Sequence, residues 1–198
     1  MDSAGDNLSS DQLDRLKRAL GEHYRFQREL GQGAFATVFL AHDMRLERLV
    51  AIKVLHIDPN SELNETRFLR EIHFLAGLQH PNIIPVHDFG HLENLLYYVM
   101  PYVRGESLRE RIRRDGRLAI SDAVRMTCEL TDALECAHNA GVIHRDIKPE
   151  NILLSGVHPL LADFGVARAI NISTSKKITR TGFGSPGTPA YMSPEQML

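Results

Sequence analysis

Hydrophobic residues recur along this chain with two different periods, which predict strands in its first half and helices in its second. In "YRFQRELGQGAFATVFLAHD" and "RLVAIKVLHI", apolar and polar positions alternate around glycines, and this alternation predicts β-strands. Further on, Phe68, Ile72 and Leu75 have the i, i+4, i+7 spacing of a buried helix face. Two later runs, "HPNIIPVHDFG" (80–90) and "NLLYYVMPYV" (94–103), again predict strands.

Ahead of these strands, the segment "SSDQLDRLKRALG" predicts a short helix. Ser9 and Gln12 have the spacing of a capping box, in which each side chain accepts a hydrogen bond from a backbone N–H of the other residue. Leu13, Leu16 and Leu20 fall on one face of the helix. We expect that face to pack on the body of the protein or, as the alternative, to meet a partner.

Later in the chain the hydrophobic pattern becomes helical. "SLRERIRRDG" predicts a short helix and "ISDAVRMTCELTDALECAHNAG" a long one, with Ser121 expected to cap its start and Gly141 to end it. Short strands and loops follow up to Asp163, and 164–198 has the composition of one long loop. The pattern predicts an α+β protein of two lobes with a hinge near 100–105.

Composition and charge narrow the class of protein. The 198 residues are 43% hydrophobic, with a formal net charge of −2, which is typical of a globular chain and offers no overall attraction for nucleic acid. No apolar run approaches the roughly 18 residues of a membrane span, and the polar N-terminus is unlike a signal peptide. Cys128 and Cys136 lack the spacing of a metal site or a disulfide framework. We therefore expect a cytoplasmic chain without nucleic-acid partners or a membrane segment.

The first candidate for chemistry is the glycine-rich stretch "GQGAFATV" (31–38). Gly31 and Gly33 allow the backbone to approach a ligand closely, so N–H groups from Gly31 to Ala34 could face phosphates. The alternative is a hairpin turn with no ligand.

A second candidate is Lys53 in "VAIK", which needs a partner if its ammonium group is buried. Glu71 on the following helix could supply it, and such a pair can hold nucleotide phosphates.

The third candidate is the loop "HRDIKPEN" (144–151). Asp146 could accept a proton from a substrate hydroxyl, and Lys148 could neutralise charge on a transferring phosphoryl group. Asn151 and Asp163 offer oxygen ligands for Mg²⁺. Taken singly, Asp146 could equally be a turn residue, Asn151 a cap and Asp163 a surface acid. Their combination and order favour phosphoryl transfer, which needs positioning and charge neutralisation more than covalent help.

The motifs together resemble one family. "GQGAFATV", "VAIK", "HRDIKPEN", "DFG" and "SPE" occur in the order typical of eukaryotic-like (Hanks-type) serine/threonine protein kinases, and "DFGVARAI" and "GTPAYMSPEQ" are similar to the bacterial members. Small departures are Ala36 for the third glycine and Ser193 for the usual alanine of "APE".

The resemblance implies a protein kinase-like fold with a β-rich N-lobe and a helical C-lobe. Residues 1–22 would form an extension with a short helix, and 23–198 the kinase domain. Within it, the N-lobe would cover about 23–100, the hinge 101–105 and a partial C-lobe 106–198. Kinases of this family continue with further helices, so we expect this chain to be truncated after its "SPE" motif.

The resemblance also implies an activity, the ATP-dependent phosphorylation of Ser and Thr hydroxyls on proteins in bacterial signalling. Asp146 would be the catalytic base, aided by Lys148 and Thr188, and Asn151 and Asp163 would bind Mg²⁺. Thr179 and Thr181 are the expected phosphorylation sites. The residues implied to contact ATP are Gly31, Gln32, Gly33, Ala34, Val38, Ala51, Lys53, Glu71, Met100, Pro101, Val103 and Leu153.

The implied partners are ATP, protein substrates and a second kinase copy for trans-autophosphorylation. Bacterial relatives often continue into a membrane span, so the full-length protein could be membrane-anchored.

Two alternative functions stay open. One is a nucleotide-binding fragment or regulatory module without turnover, and the other is a small-molecule kinase. Phosphate on the segment around Thr179 and Thr181 after incubation with ATP would separate these readings.

Overall fold

The computed structural model describes residues 8–33, 36–55, 63–92, 95–164 and 189–197. Contacts divide the chain into two compact units, one of Met1–Ile72 with Val86–Tyr102 and one of His73–Pro85 with Val103–Leu198. The elements are α1 (Ser10–Leu20), β1 (Tyr24–Gln32), β2 (Ala36–Asp43), β3 (Arg48–Leu55), α2 (Leu63–Ala76), β4 (Asp88–Leu92), β5 (Leu95–Pro101), α3 (Leu108–Asp115), α4 (Ile120–Asn139), β6 (Ile152–Ser155), β7 (His158–Leu161) and α5 (Pro194–Met197).

The first unit is built on an antiparallel five-stranded sheet with the order β1-β2-β3-β5-β4. Its register places Lys53 between Val38 on β2 and Tyr98 on β5. Alternate residues of β3 point to opposite faces, so Val50, Ile52 and Val54 share one face while Lys53 belongs to the other. Those three residues are completely buried.

Helix α1 covers the apolar face of this sheet. Ser9 and Gln12 form the predicted capping box, with hydrogen bonds of 3.0 and 3.2 Å. Leu16 is fully buried and Leu20 nearly so, and both belong to the core cluster that contains Val50, Ile52 and Val54. The helix therefore packs on the body of the protein, and burying these leucines contributes the hydrophobic part of its stability.

The second unit holds α3, α4 and the β6–β7 hairpin. The prediction that Ser121 caps α4 is wrong. The helix begins at Ile120 after Ala119, which makes no side-chain cap, so Ser121 already lies inside the first turn. Gly141 does follow the end of α4 and has a φ of 76°, which favours glycine.

The strand predicted over 80–90 is also only partly right. β4 begins at Asp88, and Ile83 makes a single bridge to Leu161 instead of joining the sheet. The buried stripe predicted for α2 is confirmed, because Phe68, Ile72 and Leu75 are at most 4% exposed. Within the described ranges, no helix is both long and apolar enough to cross a membrane.

Candidate active site

The loop between α4 and β6 is anchored by a buried histidine. His144 is 1% exposed, and its Nε2–H donates to the Ala162 carbonyl oxygen at 2.9 Å. Its Nδ1 accepts the backbone N–H of Asp146 at 3.3 Å. A carbonyl can only accept and a backbone amide can only donate, so these contacts select the neutral ring with its hydrogen on Nε2. The ring also packs against Phe164, with centroids 4.7 Å apart and ring planes tilted by 44°.

Asp146, Lys148 and Asn151 meet at one carboxylate oxygen. The Lys148 Nζ lies 2.7 Å from Asp146 Oδ2, and the Asn151 Nδ2 donates to the same oxygen at 2.9 Å. The Asn151 side chain also donates to the Asp146 main-chain carbonyl at 2.8 Å. These bonds fix the direction of the carboxylate and leave it about a quarter exposed, as a base facing an external hydroxyl must be.

The orientation of the Asn151 amide follows from its partners. Both partners of Nδ2 are acceptors, so the NH₂ group must face Asp146 and Oδ1 must point away from it. Asn151 is only 6% exposed, and Oδ1 has no hydrogen-bond donor among the described residues. A buried, oriented amide oxygen is a suitable ligand for a hard cation, so this residue fits a Mg²⁺ site.

The chain at Asp163 is tied to the same loop. The Ala162 N–H donates to the Asn151 carbonyl at 2.9 Å, which holds the residue next to Asp163 against the loop 144–151. Asp163 has a φ of 60° and Arg145 a φ of 66°, both in the left-handed region. Such residues cost about 1–3 kcal/mol each and persist where surrounding contacts hold them, often at functional sites.

Two other predicted residues of the second unit lie near the start of α3. Leu153 is half-buried on β6 and makes an isolated bridge to Ser107, the residue that caps α3. Val103 is also half-buried, in the segment that leads to α3. No described contact assigns either residue to a nucleotide, so their roles stay predictions.

In the first unit, the glycine-rich stretch closes a hairpin. Gly31 pairs with Val38 and Gln32 with Thr37, and the Gly33 N–H donates to the Ala36 carbonyl at 2.8 Å. A Cβ at Gly31 would meet nothing within 4 Å, and one at Gly33 only an ordinary contact at 3.8 Å. Packing within the described chain therefore does not require either glycine. The close approach of a ligand to the backbone would explain why glycine occupies both positions.

The remaining predicted nucleotide contacts lie along β3 and β5. Ala51 pairs with Met100, and Val50 with Pro101, so these positions are adjacent in the sheet. Glu71 is half-buried on α2 in the same unit as Lys53. The Lys53–Glu71 ion pair stays a prediction. Four predicted residues, Ala34, Thr179, Thr181 and Thr188, lie outside the described residues.

Sequence reasoning missed a set of contacts around Arg109 on α3. Its Nε donates to Glu150 Oε1 at 2.8 Å and its Nη2 to the Tyr191 hydroxyl at 2.7 Å. Burial raises the pKa of Glu150, but the Arg109 guanidinium and other hydrogen bonds bring it below its ordinary value. The only sequence signal was a cluster of arginines at 109–117, which is also typical of a solvated helix face.

Comparison with known proteins places this chain in a family. A protein kinase domain model matches residues 24–197. The probable serine/threonine-protein kinase pknA2 of Bifidobacterium longum is 41% identical over 88% of this chain and 23% of its own length. Serine/threonine-protein kinase PknE of Mycobacterium tuberculosis is 40% identical over 87% of this chain and 30% of its own. The chain thus spans less than a third of the length of these curated relatives.

Solved structures agree with the sequence matches. The Mycobacterium tuberculosis PknI kinase domain is 32% identical, with a TM-score of 0.64, over 73% of this chain and 60% of that one. A mutant of the same domain gives a TM-score of 0.65 over 84% of this chain and 64% of that one. The predicted α+β class and protein kinase-like fold are confirmed. The chain belongs to the protein kinase family, within its bacterial, Hanks-type serine/threonine branch.

Proposed function

We propose that this chain transfers the γ-phosphoryl group of ATP to Ser and Thr hydroxyls of proteins. The observation that carries the proposal is the single oxygen of Asp146 held by both Lys148 and Asn151, at 2.7 and 2.9 Å. Phosphoryl transfer depends on positioning and on electrostatic stabilisation, and this cluster supplies a fixed acceptor beside a fixed positive charge.

In the proposed reaction, the substrate hydroxyl gives its proton to Asp146 while the hydroxyl oxygen forms a bond to the γ-phosphorus. The bond from that phosphorus to the bridging oxygen breaks, and ADP leaves with the electron pair. Lys148 offsets negative charge on the transferred group. Thr188 would contact Asp146 and Lys148 as part of the surface that receives the protein substrate.

Members of this family use ATP with a divalent metal ion, and we propose Mg²⁺ here. Asn151, through the Oδ1 that points away from Asp146, and Asp163 would hold it, and the ion would neutralise phosphate charge. The residues proposed to contact ATP are Gly31, Gln32, Gly33, Ala34, Val38, Ala51, Lys53, Glu71, Met100, Pro101, Val103 and Leu153. Among them, Lys53 would bind the α- and β-phosphates while Glu71 fixes its ammonium group.

The organisation of the chain is part of the proposal. Residues 1–22 would be an extension and 23–198 the kinase domain, with a hinge at 101–105 and a partial C-lobe. The reaction would take place in the cytoplasm, where ATP is available. Thr179 and Thr181 would be phosphorylated by a second copy in a transient dimer.

The test is transfer of labelled phosphate from Mg-ATP to a Ser- and Thr-containing protein. Asp146→Asn should lower the rate by about 10²–10⁴-fold, since a positioned base contributes that much. Asp132→Asn, which removes an exposed carboxylate on α4, should leave the rate unchanged. Equal rates for the wild type and Asp146→Asn would refute the proposal.

The alternative of a module without turnover predicts a different result. Mg-ATP would then raise the melting temperature of the wild type, and not of Lys53→Met, while no phosphate is transferred. Transfer to a small molecule with none to protein, and none to Thr179 or Thr181, would favour a small-molecule kinase.

A further inference from the structure

The segment 189–197 is held at two points, one on α3 and one on the loop 144–151. Arg109 donates to the Tyr191 hydroxyl at 2.7 Å, and its guanidinium carbon lies 5.4 Å from the centre of the Tyr191 ring. Separately, the Gln196 Nε2 donates to the Arg145 carbonyl at 3.0 Å. Arg145 directly precedes Asp146, so the second contact reaches the backbone of the proposed base.

Arg109 also contacts the other end of the loop 144–151. Its Nε donates to Glu150, which belongs to the short 3-10 turn Pro149–Asn151. The next residue, Asn151, donates both amide hydrogens to Asp146. A single guanidinium therefore joins α3, the turn that carries Asn151 and the segment that carries Tyr191. Arginine suits this task, because its planar group presents several donors in fixed directions.

We infer that Arg109 is a positioning residue that aligns the 189–197 segment with Asp146 for the binding of protein substrate. The inference rests on the proposed function, in which residue 188 and its neighbours receive the substrate. Arg109 does not touch the reacting groups. Its loss should therefore weaken the binding of protein substrate, without a matching effect on the binding of ATP.

The variants that test this role are chosen to keep the fold intact. Arg109→Gln removes the charge and both hydrogen bonds, and Tyr191→Phe removes only the hydroxyl. Arg113→Gln removes the same charge from an exposed position on the same helix, and serves as the control. Ion pairs as exposed as Arg109–Glu150, at 24% and 40%, contribute little to global stability, so all the variants should fold.

Two readouts on the whole chain follow. Hydrogen exchange of the 190–196 amides should accelerate in Arg109→Gln and in Tyr191→Phe, but not in Arg113→Gln. In steady-state kinetics, Arg109→Gln should raise KM for the protein substrate by about five- to tenfold, which corresponds to the net contribution of one typical hydrogen bond. The kcat value and KM for ATP should change less than twofold.

The double variant gives a further constraint. Since both single changes break the same Arg109–Tyr191 contact, Arg109→Gln with Tyr191→Phe should be no worse than Arg109→Gln alone. Unchanged exchange in Arg109→Gln, or faster exchange without a rise in KM for protein, would overturn the inference. If the wild type transfers no phosphate, the proposed function fails, and hydrogen exchange alone then decides whether Arg109 positions the segment.

Discussion

Among the described glycines of the second unit, Gly105 is predicted to be the one whose loss is tolerated least. A Cβ built there would overlap the Leu154 carbonyl oxygen and lie 3.2 Å from the carbonyl carbon. The oxygen belongs to the backbone of β6, so no side-chain rotation can relieve the overlap. Gly105→Ala must push β6 away from the segment before α3.

The cost follows from what that movement breaks. The Leu154 N–H donates to the Glu106 carbonyl at 2.9 Å, and Leu154 is only 3% exposed. Moving β6 away from this segment removes this bond and leaves a buried donor unpaired. Together with the overpacking itself, we expect a loss of about 2–4 kcal/mol in the free energy of unfolding. For a chain of this length, that corresponds to a fall in melting temperature of roughly 5–15 °C.

The assay is thermal and urea unfolding followed by circular dichroism, with Gly77→Ala as the matched control. Gly77 lies in the same unit, and a Cβ there would meet only ordinary contacts at 3.5 and 3.7 Å. The control should therefore melt within a degree or two of the wild type. If Gly105→Ala melts as the wild type does, the close approach of Gly105 to β6 is not as the structure has it.

Three further changes test individual contacts by urea unfolding. Asp43→Asn should cost about 1 kcal/mol at pH 7, because Asp43 accepts the N–H groups of Arg45 and Leu46 and pairs with Arg48. Burial raises the pKa of Asp43, but those donors lower it overall. The stabilisation is therefore present above the unfolded pKa, near 4, and is lost as the pH falls through the folded pKa. A stability difference between the wild type and Asp43→Asn that does not change with pH would contradict the reasoning. Leu16→Ala should lower the free energy of unfolding by about 2–5 kcal/mol, because Leu16 is fully buried in the core. Lys17→Ala, at the exposed neighbouring position, should lower it by less than about 0.5 kcal/mol. Similar losses for the two variants would mean that α1 does not cover the sheet. Asn82→Ala should cost about 1–3 kcal/mol, since the Asn82 amide donates to the Pro159 carbonyl at 2.8 Å and to Glu129 at 3.1 Å, and a stability equal to that of the wild type would rule out a structural role for this amide.

The geometry around Asp146 was the most predictable part of the site, and for a physical reason. Asp146, Lys148 and Asn151 lie within six consecutive positions, so a tight loop is enough to bring their side chains together. The capping box of α1 was predictable on the same ground, because Ser9 and Gln12 are three residues apart. Local spacing determines such contacts, whatever the rest of the fold does.

Contacts between distant parts of the chain could not be predicted in this way. Arg109 meets Glu150 across 41 residues and Tyr191 across 82, and nothing in "SLRERIRRDG" distinguishes Arg109 from its neighbouring arginines. The overlap that forbids a side chain at Gly105 also involves a strand almost fifty residues away. The prediction of the α4 cap failed for a different reason. Ser121 has the right side chain, but the helix starts at Ile120, and a shift of one or two residues at a helix end removes the geometry of a cap.

His144 explains how two strained residues can coexist in the site. Arg145 and Asp163 both have left-handed φ values, and each lies next to a residue that His144 holds. Its Nδ1 accepts from Asp146, which follows Arg145, and its Nε2–H donates to Ala162, which precedes Asp163. Because the ring is 1% exposed, neither bond competes with water, and together they can offset the backbone cost. A histidine meets this need because its two ring nitrogens can accept from one backbone and donate to the other at the same time. The histidine of "HRDIKPEN" therefore has a structural role, which is to hold the backbone at Asp146 and at Ala162, next to Asp163.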